Sequence, residues 1–397
     1  GCFTNNAAQN NAAFEYSNTL SPTSLLSLRY GFARSILDRG SWFQGFRPSE
    51  LGLSPDIEVG ADLLVFPEFS IEEMTAPGLR HHWNFRSANM SHTLNATYSK
   101  VVGSHNLKVG SEWRVNLINH MQASWQLLFQ FNRGMSAGPD PRRVAANQGF
   151  GYASFLMGAG SGGQLVNGIR PSLSSKSFGA YIQDDWKMSR KLTLNLGVRW
   201  DVETGLTERY DRFAVFDPDV RSPLSDAAGF ELNGGWRFPN VDLATGRNLR
   251  DPAWDNISPR VGIAYEIKPG TVVRSGYGIF FAMAPWGANH YGTSPFGAST
   301  PWVRSIDGAN PNDLLRNPFP NGIVQPEGSA GGLLAGNGLG VSSPIPDTMK
   351  NTYNQQWNFS IAHQLSQTTA FEVAYAGNKG NNLPIRNGWQ MNQLHPT

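Results

Sequence analysis

Apolar and polar residues alternate strictly along Lys191–Asp201. Leu192, Leu194, Leu196, Val198 and Trp200 interleave with Thr193, Asn195, Gly197, Arg199 and Asp201. A β-strand sends successive side chains to opposite faces, so the segment predicts a strand with one apolar and one polar side. At ~3.3 Å per residue it reaches about 36 Å, and a tilt of ~45° reduces this to about 25 Å, the height of the apolar band of a membrane barrel.

The same alternation recurs in pairs separated by short turns. Phe14–Leu20 and Leu25–Arg34 flank Ser21-Pro22-Thr23, Asn89–Ser99 and Asn106–Leu117 flank Gly103-Ser104, and Phe178–Lys187 and Lys191–Asp201 flank Met188-Ser189-Arg190. Pro259–Ile267 and Thr271–Phe281 flank Lys268-Pro269-Gly270, and Tyr353–Leu365 and Thr369–Gly377 flank Ser366-Gln367-Thr368. Turns of this length and composition close antiparallel hairpins. Between the hairpins lie long Gly-, Pro-, Asn- and Asp-rich stretches: Ser35–Ala88, Val202–Ser258 and Ala282–Thr352. Short turns alternating with long loops distinguish the periplasmic from the external rim of an outer-membrane barrel. Ser124–Asn132 alternates as well, and Gly149–Met157 is read as its partner in a hairpin inside an external loop. The expected fold is all-β: an antiparallel transmembrane β-barrel wall over residues 1–397, a partial barrel of about ten spanning strands with long extracellular loops.

Composition agrees with this picture. Hydrophobic residues make up 40% of the chain and charged residues only 16%, below the ~25% charge of a typical soluble domain. No apolar run reaches the ~20 residues of a transmembrane helix. A barrel wall reconciles low charge with modest hydrophobicity, because half of each strand is polar and faces a wet lumen. The net charge of +2 gives no basic stripe for nucleic acid. The single cysteine, Cys2, excludes an intrachain disulfide framework and a cysteine-based zinc site. No signal peptide is visible, which for an exported protein leads to the expectation of a segment without its leader.

Candidate chemistry is sparse. Leu192, Leu194, Leu196, Val198 and Trp200 are expected to face lipid. Trp113, Tyr181, Trp186, Tyr265, Tyr277, Trp357 and Tyr375 are expected, with Trp200, to form girdles at the headgroup level. Glu112, Arg199 and Arg274 have lumen-facing parity, either as a ladder of alternating charge or as contacts to a passing solute. The loop tryptophans Trp42, Trp236, Trp254, Trp286 and Trp302 are candidate ligand-binding residues, with packing inside the loops as the alternative. Asp184 and Asp185 are adjacent on a strand and point apart, so they cannot share one ion. Asp184 is expected to bind turn backbone or to pair with Lys187 or Arg190. Gly158–Gly163 matches G-x-G-x-x-G formally but precedes no helical pattern, so it reads as a loop and not a dinucleotide site. Asp217, Asp219 and Asp226 match no calcium-loop spacing. No catalytic constellation, metal site or cofactor site is expected, and the chain is not read as an enzyme.

Ala180–Asp201, Ser258–Phe281 and Tyr353–Pro384, preceded by Phe14–Arg34 and His105–Arg114, resemble in the same order the hairpins of Oar-like TonB-dependent receptors. The resemblance implies a barrel of about 22 strands, with a periplasmic plug and a TonB-contacting box before it. Neither is recognisable here, so the chain is expected to be an internal part of the barrel. It further implies a receptor in the outer membrane of a Gram-negative bacterium. Its partners would be membrane lipid, the TonB complex through the plug region of the intact protein, and an unknown bulky solute such as a glycan or peptide. Two rivals remain at this point: a non-energised structural or adhesion barrel that binds a partner through its loops, and a secreted β-sandwich enzyme.

Overall fold

The computed structural model describes residues 3–41, 44–74, 84–123, 126–138, 140–145, 147–282, 294–335 and 350–383. Five antiparallel hairpins follow one another. They are Phe3–Ser21 with Ser24–Ser41, Asn84–Val102 with His105–Ala123, Ser172–Lys187 with Leu192–Glu203, Asn256–Lys268 with Thr271–Phe281, and Tyr353–Gln364 with Ala370–Asn381. Each hairpin pairs with the next, so ten strands form one continuous meander. Residues 207–208 add a short strand beside Ser172–Lys187. The first strand, Phe3–Ser21, and the last, Ala370–Asn381, occupy the two edges of this sheet and do not pair with each other.

The predicted turns and strand centres are in place, and several strands extend further than their alternation indicated. Those of the first two hairpins run for 18 or 19 residues. At ~3.3 Å per residue they continue beyond the ~30 Å hydrocarbon layer, where either face can be polar and alternation fades.

Register carries the two faces around the sheet. Val198 lies opposite Ile182 on one side and Pro259 on the other, Ile182 opposite Val109, Val109 opposite Tyr98 and Tyr98 opposite Leu26. In the other direction Leu194 lies opposite Ile263, Ile263 opposite Ser275, Ser275 opposite Phe359 and Phe359 opposite Tyr375. Leu28, two residues from Leu26, lies opposite Tyr16 of the first strand, and side chains opposite each other share a face, so one apolar surface spans all ten strands. Its residues are exposed: Leu196 by 41%, Ile182 by 49% and Tyr375 by 64%.

The buried core lies in the loops instead. A four-stranded sheet is assembled from three different loops in the order Ala298–Pro301, Gly162–Asn167, Leu127–Phe131, Glu68–Ile71, the last pair being parallel. Phe69, Ile71, Phe129, Phe131, Leu165, Trp302 and Phe319 pack together around it. The described parts of the long stretches are therefore folded, which satisfies backbone groups that a structureless buried loop would leave unpaired. Leu127–Phe131 is a strand as expected, but its partner is Gly162–Asn167. Residues 151–156, expected to be that partner, form a short α-helix whose Phe155 packs on the cluster.

Candidate functional site

Several ion pairs lie on the polar face of the sheet. Glu112 bridges Arg114 at 3.1 Å, and Arg199 grips Asp201 with its Nε 2.8 and 2.9 Å from the two carboxylate oxygens. Lys108 lies 3.9 Å from Asp185, and Glu15 sits directly opposite Arg29. Glu112 and Arg199 thus each have an opposite charge beside them on their own strand. Arg274 is on the same face, opposite Ala264 and Ser360, and forms no ion pair among the described residues.

Tyr181 belongs to this polar face and not to a girdle. Its parity is that of Arg199, which it opposes, and its hydroxyl is 3.1 Å from Thr97 Oγ1. Asp184 and Asp185 diverge as strand geometry requires. Asp185 accepts from Asn195 Nδ2 at 2.7 Å on the polar face. Asp184 lies on the apolar face and pairs with His105 Nδ1 at 2.7 Å, in place of the expected Lys187, Arg190 or turn backbone. His105 in turn stacks on Trp186 at 5.2 Å.

The loop tryptophans separate into two environments. Trp236 and Trp302 are each only 4% exposed. Trp236 packs with Ala214, Phe238 and Ala335, and Trp302 meets Phe129 and Phe131 edge-on while its Nε1 donates to the Asp313 carbonyl. Both have the geometry of loop cores. Trp254 is 62% exposed and stacks on Trp200, whose Nε1 donates to the Trp254 carbonyl at 2.8 Å. With Phe178 and Trp113 they form a row, each ring within 6.0 Å of the next, along the apolar face. Trp254 thereby belongs with the aromatics of the apolar face and not with a loop core. Trp42 and Trp286 lie outside the described residues.

Where the loop over residues 204–255 meets the wall, a buried polar knot forms. Arg250 (3% exposed) approaches Glu203 (2%) at 3.5 Å and donates to Asn351 Oδ1 at 3.0 Å. Burial holds the Arg250 guanidinium below its usual basicity, and Glu203 opposes that effect. Glu208, fully buried, accepts from the backbone N–H groups of Ser172, Tyr210 and Arg212. Leu206, Phe213, Val215 and Leu249 pack with Leu173 and Ile118, which oppose each other on the polar side of the wall. This loop therefore folds over the polar face of the second and third hairpins. No sequence pattern signalled the knot, because its members are scattered from residue 203 to residue 351.

Between the loop segments 52–55 and 312–320 lies an open groove of about 600 Å³. Asp217 and Asp226 are each engaged by an arginine, Arg237 and Arg221. Among the described residues no three carboxylate, histidine or cysteine side chains gather as a metal would require.

A family model of the outer membrane beta barrel domain matches residues 2–397. No curated protein matches the chain. Among solved structures it is similar to the copper transporter OprC, with 11% identity and a TM-score of 0.40 over 94% of this chain and 38% of that one. It is similar to the outer membrane transporter YddB from Escherichia coli, with 11% identity and a TM-score of 0.47 over 94% and 34%. The Serratia marcescens hemophore receptor HasR, solved with its hemophore HasA and heme, matches at 11% identity and a TM-score of 0.43 over 96% and 41%. The chain spans well under half the length of each of these three.

Proposed function

The chain belongs to the outer membrane beta barrel domain family, and from that premise we propose that it is the barrel portion of a TonB-dependent receptor of the Oar-like type. In this reading the apolar face, with Leu192, Leu194, Leu196, Val198 and Trp200, contacts outer-membrane lipid. The polar face, with Glu112, Arg199 and Arg274, lines the lumen, and the folded loops lie outside the cell. The intact receptor takes up a bulky solute, a glycan or a peptide, when TonB acts on its plug region.

The observation that carries the reading is the open ten-strand sheet with one exposed apolar face, capped at one end by loops from separate hairpins. The two edge strands do not pair with each other, and hydrocarbon cannot satisfy open backbone groups, so this reading has the barrel closed by further strands of the intact receptor. A barrel of ~22 strands is wide enough to hold a plug.

The test uses the intact receptor in cells. Site-directed crosslinking to TonB, together with uptake of labelled oligosaccharides and oligopeptides in tonB-positive and tonB-negative strains, should give a TonB adduct and uptake only when TonB is present. Uptake that does not depend on TonB, with no adduct, would sink energised transport. Surface adhesion through the cap, without uptake, would establish the non-energised barrel instead.

A further inference from the structure

The charges on the polar face are distributed unevenly around the wall. Along the second and third hairpins, Glu112 with Arg114, Arg199 with Asp201 and Lys108 with Asp185 neutralise one another, Arg29 of the first hairpin faces Glu15 across the register, and the 204–255 loop covers part of the polar surface. Along the fourth and fifth hairpins the polar face is built from Gly262, Gly276, Gln356, Asn358, Ala374 and Asn378, joined through register. Two cations rise from it: Arg260, opposite Gly197 and Gly278, and Arg274, opposite Ala264 and Ser360. Both are exposed, and neither forms an ion pair among the described residues.

Arg260 is also held in position. Its guanidinium carbon lies 4.7 Å from the centre of the Phe280 ring, and that ring lies close against Gly278, where an added Cβ would meet it at 3.0 Å. A guanidinium held on an aromatic ring keeps its planar fork of donors and loses less rotamer freedom when it binds an oxyanion. The carboxylates on this face, Glu266 and Glu372, lie at the short-turn end of the strands. Glu266 is engaged there by the Gly270 N–H at 3.2 Å.

The geometry points to an anion track. We propose that Arg260 and Arg274 bind successive oxyanion groups of the solute, which is therefore an acidic chain carrying carboxylates and not a neutral one. Arg274 is four residues along its strand from Gly278, the partner of Arg260. With ~3.3 Å per residue and ~4.8 Å between strands the two Cα atoms are about 14 Å apart. That spacing calls for two charged groups on one chain and not for a single small anion. Gly262, Gly276 and Gly278 leave the surface between them open, and the amides of Gln356 and Asn358 on the adjoining strand supply hydrogen bonds to hydroxyl or amide groups of the same chain. The proposal rests on the lumen assignment above.

The experiment uses the intact receptor in detergent and in liposomes, with fluorescein-labelled tetragalacturonate as probe and labelled maltotetraose as neutral comparator. Tetragalacturonate should bind more tightly than maltotetraose by tenfold or more and weaken with salt. Arg260→Gln and Arg274→Gln should each weaken it about tenfold, and the double variant should abolish the preference. Equal binding of the two probes, or a double variant within twofold of the parent, overturns the anion track. Failure of the underlying lumen assignment is read separately, from labelling of Arg260→Cys and Arg274→Cys by a charged, membrane-impermeant thiol reagent. Labelling with no acidic preference rejects the track alone. Absence of labelling in folded receptor rejects the lumen assignment and the track with it.

Discussion

Trp302 lies flat against Gly160, where a Cβ would overlap the six-membered ring of the indole. One residue comes from the loop after the second hairpin and the other from the loop after the fourth, so the contact joins segments 142 residues apart (302 − 160). The glycine-rich stretch 158–163 is thus one wall of a packed core, not a flexible linker. Gly160→Val should expel the indole and loosen the cap, and Trp302→Ala should cost about 3–5 kcal/mol, as for removal of a large buried aromatic. Limited proteolysis of intact cells should show faster cleavage within residues 126–171 in both variants, while the wall strands stay protected. Parent-like cleavage would mean that the cap does not depend on this contact.

The Arg250–Glu203 pair is buried on both sides. Removing one side takes a close opposite charge away from a buried group, so Glu203→Gln or Arg250→Met alone should cost about 3–5 kcal/mol. Replacing both by apolar residues of similar volume should recover much of the loss. A double-mutant cycle on the thermal unfolding of the purified receptor measures the coupling. Additive losses would show that the two side chains act independently.

Leu196 and Asn195 are neighbours in sequence that face opposite sides of the wall. If the apolar face is the lipid side as proposed, Leu196→Arg should destabilise the barrel by about 2–4 kcal/mol near the bilayer midplane. Asn195→Arg exchanges the amide donor to Asp185 for a guanidinium on the polar face and should cost no more than about 1 kcal/mol. Urea titration of the receptor refolded into lipid vesicles compares them, and equal costs would contradict the assignment of faces.

Trp254 stacks on Trp200 on the apolar side, which predicts a position at the membrane surface and not in a solute site. In a receptor variant that retains Trp254 and Trp200 as its only tryptophans, brominated lipids should quench the emission strongly. Added oligosaccharide should leave the emission unchanged. Quenching by oligosaccharide with none by brominated lipid would return Trp254 to the binding surface.

Glu58 reports on the cap at low pH. Hydrogen bonds from Ser49 and from Arg47 lower its pKa from 4.5 to about 2, with the Ser49 N–H at 2.9 Å and Arg47 Nε at 2.9 Å. A carboxylate with a depressed folded pKa contributes stability that is fully present above its unfolded pKa and is lost as pH falls through the folded one. The turn over residues 47–58 should therefore resist pepsin near pH 4 and become cleavable as pH falls towards about 2. Glu58→Gln should be cleaved already at pH 4. Identical pepsin profiles for parent and variant would remove Glu58 from this role.

Alternation by itself determined the wall. Leu192 to Trp200 fixed one strand and its two faces, and the Pro-Gly, Gly-Ser and Ser-Pro turns fixed the hairpin order, because a period of two and a short turn are local properties. Only the tertiary structure decided what the loops are. Residues 151–156 read as a strand and form a helix, because Phe155 reaches the cluster of Phe69 and Phe131 from that conformation. Trp302 and Trp254 look alike in sequence, yet one is buried and the other lies on the outside of the wall. Arg199 and Arg274 share the same alternating pattern, and only the cross-strand neighbours show that one is neutralised by Asp201 and the other is not. Each of these outcomes depends on contacts between residues far apart along the chain, which a period of two does not encode.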